Sequence, residues 1–289
     1  MTFFQRHRGL FPYLLLAPGL LWLVFFFLVP LYYMGRTSLE TGTIFTGYEF
    51  NWHFETYTDA IKNYDQQFIR SFLYAGTATL IAFLIGYPLA YAIAFRGGKW
   101  KTALLLLVIL PFFVTYLIRT LSWETILADN GVVVDTLKSV GLLGDNGHIL
   151  ATSGAVIAGI TYNFLPFMVL PLYASLERID RRMLEAGYDL YGTRRAVFTR
   201  VTLPLSMPGV VAGVLLTFIP AAGDFINAEL LGTPRQTMIG NVIQSRYLEL
   251  SDYPTAAALS FILMAVILVM VLIWAKVAGT ESLMGAEGR

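Results

Sequence analysis

Residues 71–95 read SFLYAGTATLIAFLIGYPLAYAIAF, a run without one acidic or basic side chain, bounded by Arg70 and Arg96. At 1.5 Å per residue such a run forms a helix of about 37 Å, enough to cross a hydrocarbon core of about 30 Å. An ionised side chain at the bilayer centre costs about 2.5 to 3.5 kcal/mol, so charge-free runs mark the places where the chain can sit in lipid. Five more runs pass the same test: 9–35, 102–118, 146–176, 201–223 and 253–275. The composition agrees, with 56% apolar and 13% charged residues, where a soluble domain carries about 25% charged. The sequence therefore predicts an all-α integral membrane protein with six transmembrane helices.

The shortest run, Thr102 to Ile118, spans about 25 Å, and the stems of Lys101 and Arg119 snorkel to complete the crossing. Arg6 and Arg8 precede the first run, which reads as a span and not a cleaved signal, because it is too long and no small-residue cleavage site follows. Trp100 and Trp274 fall at predicted interfaces, and Trp22 inside a span reads as a packing residue. Pro18, Pro30, Pro88, Pro111, Pro166, Pro171, Pro208 and Pro220 predict bent helices, which suit both ordinary packing and the lining of a pathway.

Charge is distributed unevenly between the two sets of loops. The N-terminus, residues 96–101 and 177–200 and the C-terminus hold 13 of the 20 bases and 6 of the 19 acids. The positive-inside rule makes that side cytoplasmic, with both termini on it, and leaves an acidic external face. No extramembrane segment is longer than 35 residues, so residues 1–289 read as one transmembrane domain with no separate catalytic unit. There is no cysteine, the histidines (His7, His53, His148) are scattered, and neither a metal site nor a phosphate-binding loop is expected; Gly97-Gly98-Lys99-Trp100 lacks the spacing and hydroxyl of one. Energy for uphill transport must come from a gradient or a partner.

The segment 176–205, between spans four and five, is set apart by six arginines (178, 181, 182, 194, 195, 200) within an apolar helical pattern of Leu176, Ile179, Met183, Leu184 and Leu190. Gly192 supplies a stop and Thr193 a cap for a second short helix carrying Val197, Phe198 and Val201 before Pro204. Pattern alone leaves two readings open: a connector lying on anionic headgroups, or a docking site for a cytoplasmic protein. Recognition of nucleic acid is not expected of so short a segment tethered at both ends.

Glu185-Ala186-Gly187, with Val201, Leu203 and Pro204 in ungapped register, resembles the cytoplasmic loop motif of permease subunits of ATP-binding-cassette importers. Gly187 stands where that motif has alanine, and Tyr191 takes its glycine position, with Gly192 one residue later. The resemblance continues through residues 86–91, 109–112, 117–120, 218–221, Asp224-Phe225 and 229–232, which look like the spermidine/putrescine branch, although Ala228 and Thr233 stand where proline and glycine are expected. It implies a type I importer permease in a bacterial cytoplasmic membrane, paired with a second homologous permease, a dimer of ATP-binding subunits and an external solute-binding protein. No cofactor is expected in this chain, and ATP-Mg belongs to the partner ATPase. It further implies that 176–205 forms a coupling loop, with Leu184, Tyr188 and Leu190 as anchors, Arg194 among the arginines at a polar rim, and Glu185, Ala186, Gly187, Gly192, Val201, Leu203 and Pro204 in the motif.

Candidates for the solute pathway are polar or aromatic groups in or beside the spans. Tyr162 and Asn163 suit interhelical hydrogen bonding or solute contact. Asp224 and Glu229 suit either an external vestibule that attracts a polycation, or a solvated loop paired with Arg235 or Arg246. Tyr87, Tyr91 and Tyr116 offer aromatic faces to an ammonium, or simply pack. Arg119 and Glu124 are read as a bridge or external gate. Trp52, Tyr57, Tyr64 and Trp123 lie among acids in the external segments, a composition that suits partner contact or self-packing. Alternatives of other classes are a permease for another small solute, a self-sufficient secondary transporter, and an intramembrane enzyme, the last disfavoured because all three histidines fall outside the membrane core.

Overall fold

The computed structural model describes residues 11–144 and 146–278. Arg6 and Arg8, which enter the charge count, His7, and the C-terminal tail from residue 279 lie outside them, as does Asp145. The chain divides into two compact units.

One unit comprises the chain up to Asn63 with Ile243–Ile262. Helix α1 (Phe11–Leu23) passes through a π-helical turn at Val24–Leu28 into α2 (Val29–Thr37). The most apolar stretch of this span has no residue buried within the chain. Trp22 is accordingly 64% exposed, touching Phe26 at a ring separation of 4.1 Å. Trp22 thus packs on its own helix through Phe26 and otherwise faces outward, as large side chains do on an apolar stretch that buries nothing among the described residues. A departure from the sequence reading is a small antiparallel hairpin, β1 (Glu40–Thr43) and β2 (Gly47–Phe50), paired from Glu40↔Phe50 to Thr43↔Gly47. Gly42 and Gly47 adopt φ of 129° and 82°, left-handed values that glycine reaches without a Cβ penalty. Ser38 and Tyr57 hydroxyls meet at 2.6 Å, and Arg246 pairs with Asp252 at 3.1 Å.

The other unit comprises Tyr64–Val242 with the chain from Leu263. Helix α3 (Glu55–Arg96) is interrupted at Tyr64, where φ is −126° and ψ 17°, and from there carries the quoted run. Ala75, Ala78, Ala82 and Ala90 are fully buried along one side of it. The centre of this unit is the pairing of α7 (Ser153–Glu177) with α10 (Leu203–Ala222). Small residues permit it: a Cβ on Gly209 would lie 2.6 Å from the Pro171 carbonyl oxygen, and one on Gly213 would lie 2.9 Å from Met168 Sδ. Lipid tails supply no hydrophobic drive between helices, so such close approach is how membrane helices gain packing energy. Helix α12 (Tyr253–Ala278) is the last span.

Span three departs from expectation. Its run does not form one straight crossing. Helix α4 (Lys101–Ile109) tightens into a 3-10 turn at Leu110–Phe113, Val114 and Thr115 are extended, and α5 (Tyr116–Leu127) sets off afresh, followed by α6 (Val132–Ser139). The two halves are bent by 93°. Among the described residues five helices are long and apolar enough to cross a membrane, six if this bent pair counts as one span, in place of six uniform helices. Pro111 lacks the N–H that would continue the ladder, which accounts for the weakened point.

Candidate coupling loop and solute pathway

Helix α8 (Arg181–Tyr191) is built by its caps. The Asp180 carboxylate accepts from the Arg182 N–H at 2.9 Å, and Gly192, at φ 66°, closes the other end by donating to the Tyr188 carbonyl at 2.9 Å. Thr193 then caps α9 (Arg194–Val197), its hydroxyl accepting from Ala196 N–H at 3.3 Å. The second helix does not stop before Pro204. A π-helical turn at Phe198–Thr202 runs on into α10, and Pro204, which lacks the N–H of a ladder bond, falls directly after that turn in the continuous helix. The displacement of glycine to position 192 therefore preserves the turn.

Gly187 is the buried point of α8, where a Cβ would lie 3.2 Å from Val201 Cγ2 and 3.4 Å from Val197 Cγ1. With Gly187 inward, Glu185, Ala186 and Arg194 are exposed, as are Tyr188 and Leu190, the last at 77%. Val201 and Leu203 are half-buried. Leu184 differs from the expected anchor: it packs inward against the cluster that holds Leu172, Leu176 and Ile179, because it falls on the same side of the helix as Gly187. Met183 and Tyr191 take the outward positions, at 48% and 39% exposure, and Arg200 lies over the Tyr191 ring at 5.0 Å.

Tyr87 is buried, its hydroxyl 2.8 Å from Ser206 and its ring edge-on to Phe83 and Phe198. Tyr91 packs against Phe95 and Phe198. Tyr162 is half-buried and meets Trp123 edge to face. None of these rings is open to a solute in the isolated chain except in part.

The remaining candidates converge. Tyr116 donates to Asp224 Oδ1 at 2.8 Å; Asp224 Oδ2 accepts from Asn227 Nδ2 at 2.8 Å and from its backbone N–H at 3.3 Å. Asn227 Nδ2 also reaches the Tyr116 hydroxyl, while its Oδ1 accepts from Asn163 Nδ2 at 3.1 Å. Asn163 Nδ2 in turn lies 3.2 Å from Thr120 Oγ1. One polar network thus joins α5, α7 and the start of α11 (Ile226–Leu231).

Asp224 is therefore not a loop carboxylate facing an open vestibule, nor is it ion-paired among the described residues; it is 7% exposed, because α11 folds back and supplies it with amide donors. Glu229, one turn on, is exposed. Arg246 pairs with Asp252, and Arg119 forms no bridge to Glu124 among the described residues. Arg119 is instead buried, its guanidinium 5.2 Å from the Phe112 ring centre and 5.6 Å from that of Tyr116. The sequence reading missed Asn227, Thr120 and Phe112. The available signal was Asp224 three residues before Asn227 at a helix start, the spacing at which an acid caps a backbone N–H.

Residues 82–278 match the family described as binding-protein-dependent transport system inner membrane component. The chain belongs to that family. The spermidine/putrescine transport system permease protein PotB of Haemophilus influenzae is 39% identical over 251 residues, 86% of this chain and 88% of that protein. Its counterpart in Escherichia coli K12 is 35% identical over 254 residues, covering 88% and 92%. The inner membrane ABC transporter permease protein YdcU of E. coli K12 is 32% identical over 282 residues, covering 92% and 89%. Among solved structures, a bacterial alginate ABC transporter in complex with an alginate pentasaccharide-bound periplasmic protein contains a similar chain, with a TM-score of 0.73 over 97% of this chain and 98% of that one. At 21% identity this likeness establishes a shared fold. The family match spans both the broken third span and the α8 loop, so this chain is a transport permease of the ABC-importer type and not an enzyme. Among the described residues no group of three or more His, Cys, Asp or Glu is placed to hold a metal ion.

Proposed function

We propose that this chain is the membrane subunit through which an ABC importer takes up polyamines, spermidine or putrescine, working with a second permease, two ATP-binding subunits and an external solute-binding protein. The observation that carries this reading is the set of PotB relatives, 35% and 39% identical over nearly the full length of both partners. The geometry supports a mechanism. Helix α8 is held against α9 and the π turn by Gly187 and presents Met183, Tyr188, Leu190 and Tyr191 outward among exposed arginines. An apolar centre with a charged rim is the form of a docking element. Because α9 continues without a break into α10, a push on α8 is delivered to span five and to the helices packed on it. ATP binding to the partner would close the ATPase dimer, move this lever and switch access across the membrane; hydrolysis would reset it. Both termini and α8 lie in the cytoplasm on this reading.

The deciding experiment is uptake of radiolabelled spermidine and putrescine by cells without polyamine importers of their own, expressing this chain with its operon partners. Saturable uptake of either, abolished by Glu185→Lys or by deletion of residues 185–192 while the protein still inserts, is the expected result. No uptake of either polyamine by the intact importer overturns the solute assignment, and normal uptake by the loop variants overturns the coupling role.

A further inference from the structure

Arg119 and Asp224 are both 7% exposed, and they are not paired. Nε and Nη1 of Arg119 meet no acceptor among the described residues. Among the described residues every donor to Asp224 is neutral: the Tyr116 hydroxyl, the Asn227 amide and backbone N–H, and the Ile226 backbone N–H. Tyr116 stands between the two: its hydroxyl holds the carboxylate and its ring face, with that of Phe112, holds the guanidinium. A buried charge without a partner is costly, and an arginine–carboxylate pair would satisfy both groups. An arrangement that keeps them apart therefore leaves a carboxylate lacking a cation next to aromatic faces already occupied by one.

The backbone is consistent with a site at this point. Phe112 and Tyr116 flank the break in span three, where Val114 and Thr115 are extended. Unwound backbone at membrane depth is tolerated where it is enclosed by protein or lines a water-filled cavity, and the carbonyl end of a half-helix such as α4 with its 3-10 turn favours cations.

We infer that this cluster receives an ammonium group of the transported amine, and that Arg119 is a tethered competitor for it, holding the faces of Phe112 and Tyr116 while the site is empty and giving them up when an ammonium reaches Asp224. Arg119 is then a specificity-determining residue. A solute with several ammonium groups, some of them held elsewhere along the path, displaces it, whereas a lone small cation does not. The inference rests on the polyamine reading of the function.

The test uses the whole importer in proteoliposomes, with the binding protein supplied outside and spermidine uptake measured as KM and kcat separately. Removing the competitor in Arg119→Met is expected to lower KM by about threefold to tenfold, the range of a cation–π contact, with kcat changed less. Asp224→Asn is expected to raise KM, and the double variant to show non-additive effects, because both charges act on one ammonium. A wild-type importer that moves neither polyamine overturns the functional reading alone, before any variant is compared. If the wild type transports while Arg119→Met leaves KM within about twofold, below the effect of one such contact, the competitor role is wrong. If Arg119→Met does not co-purify with its partners, Arg119→Lys replaces it: a compact, strongly hydrated ammonium holds the faces less well, and a lowered KM is expected. An unchanged KM in that variant, or loss of assembly in both, assigns Arg119 to packing and overturns the inference.

Discussion

At position 187 α8 lies directly on the helix that follows it. The neighbours that a Cβ would meet, at 3.2 and 3.4 Å, are valine methyl carbons and not backbone, so one added carbon is accommodated by a small shift. Gly187→Ala is expected to keep uptake, since the helix-propensity gain of about 1 kcal/mol offsets mild crowding. Gly187→Leu is expected to cost about 1 to 3 kcal/mol by overpacking and to lift α8 from Val197 and Val201. Affinity purification then reads the result: the leucine variant inserts but loses the ATPase subunit. Retention of the ATPase by that variant would show that the seat of α8 on Val197 and Val201 is unimportant. Tyr87 is a contrasting case. Its hydroxyl serves Ser206 and its ring is enclosed, so Tyr87→Phe removes one buried hydrogen bond worth about 0.6 kcal/mol in a membrane. Spermidine KM is expected to stay at the wild-type value, and a raised KM would return Tyr87 to the solute pathway.

Helix α8 is an element whose ends are written locally. Asp180, Gly192 and Thr193 are residue types with strong capping preferences, which is why the helix, the turn and the second helix are legible in the amino-acid order alone. Replacing Gly192, at φ 66°, by valine costs about 1 to 2 kcal/mol of backbone strain, and Thr193→Ala removes a cap worth about 1 kcal/mol. Together they are expected to loosen the turn, so trypsin should cut at Arg194 and Arg195 faster in inside-out vesicles than it does in the wild type, with uptake reduced in parallel; an unchanged digestion rate would mean the caps do not hold the turn. The broken third span was legible only in part. Pro111 marks the weak point, but the 93° bend depends on α5 docking through Thr120 onto Asn163 and Asn227, partners 43 and 107 positions away. Asp224 misled for the same reason: an acid following a charge-free run reads as exposed, and its burial comes from Tyr116, 108 residues earlier, together with the short α11. The hairpin at 40–50 escaped notice because two four-residue strands carry too little alternation to stand out from an acidic, aromatic loop.

At the scale of the whole molecule, the uneven distribution of charge makes a claim about orientation that single residues cannot. A membrane protein with 13 bases and 6 acids on one set of loops and 7 bases and 13 acids on the other has one orientation favoured by the positive-inside rule. The same orientation is required if α8 is to meet an ATPase that uses cytoplasmic ATP. The absence of cysteine from all 289 residues makes the test clean, because each introduced thiol is the only one. Asp129 follows α5 and is exposed, as is Arg195 at the start of α9. In spheroplasts, a membrane-impermeant maleimide is expected to label Asp129→Cys directly and Arg195→Cys only after permeabilisation. Labelling of Arg195→Cys in intact spheroplasts would invert the topology and would put α8 out of reach of any cytoplasmic ATPase, so the proposed coupling mechanism would fall with it. The expected pattern would instead put the loops that carry the excess of acids on the external side, the sign of charge that gathers polycations before a solute-binding protein delivers them.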